Sequence, residues 1–296
     1  MKSPGREPGP ASSQGPAAKP LMAETAVQPT ATVSMDASGP VAADPGLSED
    51  LAAVMSGEQN PKGVKDRDNA PTFVPELHLL PANQQALWPS LRPVRDQGFV
   101  LYGGTAVSLR LGHRISVDFD FFSERPFDHA ALIAALPFSG RATVLQEAPN
   151  TLTLLVAPED GAGEGVKVSF FVGLPLGRVG QPEVTRDGVV LAASLLDLMG
   201  SKLKVIQQRA EKKDYIDIHK MLEHGVRLDE GLAAGRVLYG RTFQPSEALK
   251  AMTYFGDGNL KEIPNNIREA LIKASTSVKS VPVLTAVSSS LGLGEV

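Results

Sequence analysis

Tyr102-Gly103-Gly104-Thr105-Ala106-Val107-Ser108-Leu109-Arg110-Leu111-Gly112-His113-Arg114-Ile115-Ser116-Val117-Asp118-Phe119-Asp120-Phe121-Phe122 is the stretch on which the fold turns. It follows directly on Phe99-Val100-Leu101, and with Tyr102 these form a short apolar run stopped by a glycine pair. Run length and glycine stop predict a strand. Thr105 can cap a helix that ends at Gly112, with Val107, Leu109 and Leu111 as its apolar residues. From Ser116 the pattern alternates. Val117, Phe119 and Phe121 lie on one side, and Ser116, Asp118, Asp120 and Phe122 on the other, which predicts a strand with two acids on one face.

Both features have a chemical and a plain reading. A glycine pair between strand and helix lets the backbone approach a ligand, and the helix N-terminus offers free N–H groups to phosphate. The same pair is also the ordinary mark of a turn. Asp118 and Asp120, at i and i+2 on a strand, aim two carboxylates into one cleft. They repel, burial raises a pKa, and a divalent cation relieves both. Magnesium suits such a site because it prefers oxygen ligands and keeps waters and substrate phosphates in its shell. Alternatively the acids are the solvated face of an edge strand, although Phe119, Phe121 and Phe122 make the strand look central.

Outward from this stretch, 78–94 carries helical spacing (Leu79, Leu80, Leu87, Leu91) interrupted by Pro81 and Pro89. Asp128 is placed to cap a short helix over 130–136. Strands over 151–156 and 166–172 flank a glycine-rich turn and read as a hairpin. From Ser194 the chain reads helical, over 194–210, 213–224, 228–239, 245–255 and 264–276. A mixed half followed by a helical half predicts an α+β fold rather than a doubly wound sheet. Lys202, Arg209 and Lys213 are spaced +7 and +4, as on one helix face, with Asp214 and Asp217 on the neighbouring stripe. That is either a solvated salt-bridged surface or a set of cations for a triphosphate, oriented by an aspartate.

Composition sets the limits. No Phe, Trp or Tyr precedes Phe73, and 11 of the 23 prolines lie at or before Pro75. The leading segment cannot bury enough apolar surface to offset its ordering entropy and is expected to be a disordered tail, with Met22, Met35 and Met55 as alternative starts. The absence of cysteine excludes a disulfide scaffold, a thiol nucleophile and Cys-ligated zinc or iron–sulfur centres. No run of 18 apolar residues exists and no apolar segment follows Lys2 and Arg6, so neither a membrane span nor a secretory signal is expected, and the cytoplasm is the expected location. The formal charge of −4 gives no global attraction to nucleic acid, but Lys202, Lys204, Arg209, Lys212 and Lys213 gather local basic charge.

The joint pattern is more specific than its parts. A glycine pair, 13 intervening residues and then Asp-x-Asp on a strand has the form of a nucleotidyltransferase signature. The segment from Tyr102 to Phe122 resembles the abortive-infection nucleotidyltransferase toxins of the AbiEii/AbiGii family. So does the segment from Asp197 to Leu222, with Lys202-Leu203, Arg209 and Lys213-Asp214-Tyr215-Ile216-Asp217. The resemblance spans about 95–260 and implies a DNA polymerase β-like nucleotidyltransferase fold with a helical C-terminal part. The expected organisation is a disordered tail over 1–72, a nucleotidyltransferase core over 73–192, a helical domain over 193–278 and a weakly structured tail over 279–296.

The same resemblance implies the roles. Gly103, Gly104 and Thr105 would cradle the triphosphate of an NTP, with Arg114, Ser116, Arg209 and Lys213 as further nucleotide-binding residues. Asp118 and Asp120 would bind Mg2+, and Lys202 and Asp214 would join them as catalytic residues. The implied activity is nucleotide transfer to RNA, with the tRNA 3′ end as acceptor, by the toxin of a toxin–antitoxin or phage-defence pair that includes a cognate antitoxin. Transfer to a protein or small molecule, and a catalytically weak binding module, are the competing readings. One departure stands out: a third carboxylate is expected on the strand containing Val166-Lys167-Val168-Ser169-Phe170-Phe171, and its position holds Ser169. Asp214 is the candidate replacement. His113 and His219 read as structural, without a metal-ligand pairing.

Overall fold

The computed structural model describes residues 70–161, 163–173 and 177–293. The expected disordered tail therefore lies, for 1–69, outside the described residues. In chain order the elements are β1 (Thr72–Phe73), α1 (Ala82–Leu87), α2 (Arg92–Asp96), β2 (Val100–Tyr102), α3 (Gly103–Leu111), β3 (Asp118–Phe122) and α4 (His129–Ala135). They continue with β4 (Ala142–Ala148), β5 (Thr151–Val156), β6 (Val166–Phe171), β7 (Glu183–Thr185) and β8 (Leu191–Ala192). Five helices close the described chain: α5 (Leu195–Val205), α6 (Lys212–Glu223), α7 (Leu228–Tyr239), α8 (Pro245–Thr253) and α9 (Asn265–Ser277).

The strands form one mixed sheet in the order β1-β7-β8-β2-β3-β6-β5-β4. The α+β reading holds, with a mixed sheet followed by helices. β3 is central, antiparallel to β2 and parallel to β6. The 151–156 and 166–172 strands pair antiparallel as expected. Alternation along β3 puts Phe119 and Phe121 in the core, where Phe121 stacks on Phe170 at 5.7 Å and Phe119 meets Trp88 at 6.1 Å. Burying such rings stabilises by about 2–3 kcal/mol each, so the register of β3 is fixed and its acids are forced to the opposite face.

Three sequence expectations change. Thr105 does not cap α3. The helix begins at Gly103 with Tyr102 as its N-cap, because Gly103 at φ +72° turns the chain straight from strand to helix. The expected helix over 194–210 ends at Val205, and Lys202, Arg209 and Lys213 do not share one helix face: they lie on α5, in the turn that follows and on α6. The 78–94 segment is broken at its prolines into α1, a 3-10 turn (Trp88–Leu91) and α2.

Other boundaries follow local chemistry. Asp128 caps α4 through Oδ1, which accepts from the Ala131 N–H at 2.9 Å. Ser194 caps α5, accepting from the Asp197 N–H at 3.0 Å. Beyond α9 the described chain has no helix or strand, but it is held down: Glu124 accepts from Ser290 Oγ at 2.7 Å and from the Leu291 N–H at 3.1 Å, and Leu291 is buried.

Candidate active site

Asp118 and Asp120 are both half-buried and lie on the face of β3 that points away from the phenylalanine core. The parallel register sets Asp118 opposite Lys167 and Asp120 opposite Ser169, so all four side chains share one face. Lys167 Nζ is 3.1 Å from Asp118 Oδ2. Ser169 is buried, and Thr153 Oγ1 donates to its Oγ at 3.5 Å. The place beside Asp120 where a third acid was expected is thus a pair of hydroxyls. Burial first, and the Asp118 charge second, push the Asp120 carboxyl above its ordinary range, against the pull of Lys167, Lys202 and Arg209.

The glycine pair touches this centre. A Cβ on Gly103 would come within 2.5 Å of Asp120 Oδ2, and a Cβ on Gly104 would collide with the Arg114 guanidinium and lie 3.0 Å from Ser116 Oγ. The space cleared by the glycines is therefore lined by site side chains. Thr105 is buried in the first turn of α3. Its hydroxyl bonds the Asp118 carbonyl and lies 2.9 Å from Ser116 Oγ, so it ties α3 to β3. Gly103, Gly104, Thr105, Arg114, Ser116, Asp118 and Asp120 are brought together.

A second cluster joins α5 and α6 to the loop after α3. Asp217 is fully buried and accepts from Arg114 Nε at 2.6 Å, Arg114 Nη2 at 2.8 Å and His113 Nε2 at 2.8 Å. Lys202, also buried, lies 2.7 Å from Asp217 Oδ2 and 2.7 Å from Asp214 Oδ1. Arg209 Nε donates to Asp214 Oδ2 at 2.9 Å. Burial alone would raise both carboxyls. For Asp217 the Lys202 charge and the bonds from His113 and Arg114 win, and for Asp214 the charges and bonds of Lys202 and Arg209 win, so both are held below the carboxylate range. Lys202 is likewise raised despite burial, because Asp217 and Asp214 stabilise its charge.

This geometry revises two expectations. Both oxygens of Asp214 are committed to cations, so it does not stand in for the missing third carboxylate. Most of the gathered basic charge is also matched locally: Lys202 by Asp214 and Asp217, Arg209 by Asp214 and Glu211, Lys212 by Glu262 and Lys213 by Glu211. Lys213, half exposed, points to Glu211 and has no described contact with the aspartate pair. Lys204 donates to the Thr242 carbonyl. His219 pairs with Glu223 at 3.8 Å on the same helix.

Lys167 was missed by sequence reasoning, although its position two residues before Ser169 on the strand beside Asp-x-Asp was legible. His113 was read as structural, and its bond to Asp217 makes it part of the scaffold of the site.

Among the described residues no group of three or more His, Cys, Asp or Glu is arranged to hold a metal. Asp118 and Asp120 still fit a magnesium ion that arrives with substrate. Two hard carboxylates on one face, Asp120 with its proton affinity raised by burial first and by Asp118 second, leave most of the shell to water and phosphate oxygens.

A glycine-led helix thus stands against an Asp-x-Asp strand, the two parts of the pattern that resembles a nucleotidyltransferase signature. The family model for the nucleotidyl transferase AbiEii toxin of type IV toxin–antitoxin systems matches residues 90–278, and the chain belongs to that family. It is a transferase of the nucleotidyltransferase class. An uncharacterized protein of Aquifex aeolicus (strain VF5) is 35% identical over 163 residues, which are 54% of this chain and 74% of the relative. Similar solved structures include the nucleotidyltransferase toxin MenT4 of Mycobacterium tuberculosis H37Rv, at 14% identity and a TM-score of 0.45, covering 66% of this chain and 82% of that one. An antigenic nucleotidyltransferase-like protein of Paracoccidioides brasiliensis is 16% identical with a TM-score of 0.41, covering 68% of this chain and 94% of that one. No helix among the described residues is long and apolar enough to cross a membrane.

Proposed function

We propose that this protein transfers a nucleotide from an NTP to the 3′ end of an RNA, with tRNA as the acceptor, and that the transfer depends on magnesium. It acts in the cytoplasm, where both substrates are found, as the toxin of a toxin–antitoxin pair with a phage-defence role. The observation that carries the reading is the placing of Gly103, at the start of α3, against Asp120 of the Asp118–Asp120 face of β3, with Gly104 against Arg114 and Ser116 beside it.

In this reading the first N–H groups of α3 receive phosphate oxygens, with the helix dipole in their favour. Asp118 and Asp120 would hold the magnesium. When bound, it would polarise the phosphates and lower the pKa of the attacking hydroxyl. Arg209, one-third exposed, is available to the triphosphate from its place on Asp214. Lys202, Asp214 and Asp217 act from behind, holding Arg209 and Arg114 in place. The hydroxyl oxygen bonds to the α-phosphorus, the bond to the bridging oxygen breaks, and pyrophosphate leaves. Ser169 cannot take the hydroxyl proton at neutral pH, so that proton passes to solvent.

Purified protein is incubated with each labelled NTP, magnesium and total tRNA. Label on tRNA that is lost in Asp118→Ala supports the reading, and no transfer from any NTP overturns it. Mass spectrometry of a lysate incubated with NTP separates RNA from protein or small-molecule acceptors. Growth arrest on expression, relieved by a neighbouring antitoxin gene and absent in Asp118→Ala, tests the toxin role. The buried Ser169 beside Asp120 favours a second reading, a nucleotide-binding module without turnover. Nucleotide binding unaffected by magnesium, with no product, is its signature.

A further inference from the structure

The face that carries Asp118 and Asp120 also carries a built-in cation. Lys167 is opposite Asp118 in the β3–β6 register, and its ammonium sits 3.1 Å from Asp118 Oδ2. The pair is accessible from the site, with Lys167 about two-fifths and Asp118 about one-third exposed. The position opposite Asp120 offers only the Ser169 hydroxyl, itself in contact with Thr153 Oγ1 at 3.5 Å. Asp214 and Asp217 are turned away to Lys202, Arg209 and Arg114.

Two divalent ions side by side bring four positive charges, and in two-metal centres they clamp the attacking and leaving oxygens of an in-line displacement. Protein ligands for both are lacking here: Asp118 already bears an ammonium, and the position opposite Asp120 offers a neutral hydroxyl where a second ion would need a carboxylate. The two aspartates supply ligands for one divalent ion, whose shell water and phosphate oxygens complete. We propose that the centre binds a single divalent ion with its nucleotide, and that Lys167 is a catalytic residue whose ammonium takes the place of the second ion, on Asp118 and against the substrate phosphate. A lysine suits that task as a compact point charge with rotatable donors. The inference rests on the reading of Asp118 and Asp120 as the ligands of the nucleotide-borne metal.

The test counts metal rather than product. Full-length protein is titrated with Mn2+ in the presence of one equivalent of each α,β-methylene nucleoside triphosphate in turn, and free Mn2+ is followed by electron paramagnetic resonance. Wild type is expected to bind one Mn2+ per chain in the nucleotide complex. Lys167→Met is expected to tighten Mn2+ binding without nucleotide roughly tenfold, because a neighbouring positive charge has gone. Ser169→Asp, if folded by circular dichroism, is expected to admit a second Mn2+. Two ions per wild-type chain, or an Mn2+ affinity within about twofold of wild type in Lys167→Met, would overturn the inference. If Mn2+ and nucleotide do not bind together at all, or bind equally to Asp118→Asn, it is the reading of the aspartate pair that fails.

Discussion

Replacing Asp217 by asparagine removes the one carboxylate shared by Lys202, His113 and Arg114. It is fully buried, with Lys202 at 2.7 Å, His113 at 2.8 Å and the Arg114 fork at 2.6 and 2.8 Å. The amide preserves volume but carries no charge, and its NH2 faces groups that are themselves donors. Removing one partner of a buried pair costs about 3–5 kcal/mol. Lys202 keeps Asp214, so the lower end, about 3 kcal/mol, is the expected loss. At this chain length each kcal/mol moves Tm by about 2–4 °C, which gives a fall of about 6–12 °C.

The loss has a pH signature. Burial opposes the charged form of Asp217, but Lys202, His113 and Arg114 hold its folded pKa below the unfolded value. Its contribution is therefore fully present above the unfolded carboxylate range and is lost as pH falls from about 4 toward the folded value. Thermal melts of both proteins followed by circular dichroism should show the full gap near neutral pH and a narrowing gap below about pH 4. A Tm for Asp217→Asn within about 1 °C of wild type at neutral pH, or a gap that widens on acidification, would refute the reasoning.

Other substitutions separate stability from activity. Asp120→Asn should raise Tm by a few degrees, because burial and Asp118 disfavour its charge, while abolishing transfer; melts and the labelled-nucleotide assay read the two effects. Gly104→Ala places a methyl group against Arg114 and 3.0 Å from Ser116 Oγ, and should weaken NTP binding about tenfold, measured by fluorescent-nucleotide titration. Gly103→Ala combines a φ of +72° with a methyl group 2.5 Å from Asp120 Oδ2, so it should cost about 1–2 kcal/mol from the backbone alone and lower activity more than Gly104→Ala does. Lys202→Met leaves Asp214 and Asp217 buried without their shared cation and should destabilise by about 3–5 kcal/mol, seen as a lowered denaturation midpoint in urea.

What was legible in the chain depended on whether the signal was local. Alternation from Val117 to Phe122 dictated β3, its buried face and the shared direction of Asp118 and Asp120, because period two is a property of the strand itself. Asp128 announced its helix because capping is a short-range bond. The break after Val205 was hidden, because Lys202, Arg209 and Lys213 keep helical spacing across a turn. The edge strand β4 was missed because a register shift between Val144 and Gln146 destroys its alternation. Who pairs with whom was beyond reach: Arg114 meets Asp217 across 103 positions, and only the packing of α3 on α6 brings them together. The strand of Lys167 was legible, but its pairing with Asp118 depends on the β3–β6 register.

The Asp118–Asp120 face, next to the glycine-led helix α3, is the proposed seat of nucleotide transfer. The most direct measurement is transfer of an α-phosphate label from each NTP to purified tRNA, with pyrophosphate release followed in parallel, for wild type and Asp118→Asn at matched folding by circular dichroism. Labelled tRNA with stoichiometric pyrophosphate in wild type, and a loss of at least about a hundredfold in the variant, is the predicted result. Equal labelling by both proteins, or none from any NTP, would contradict it.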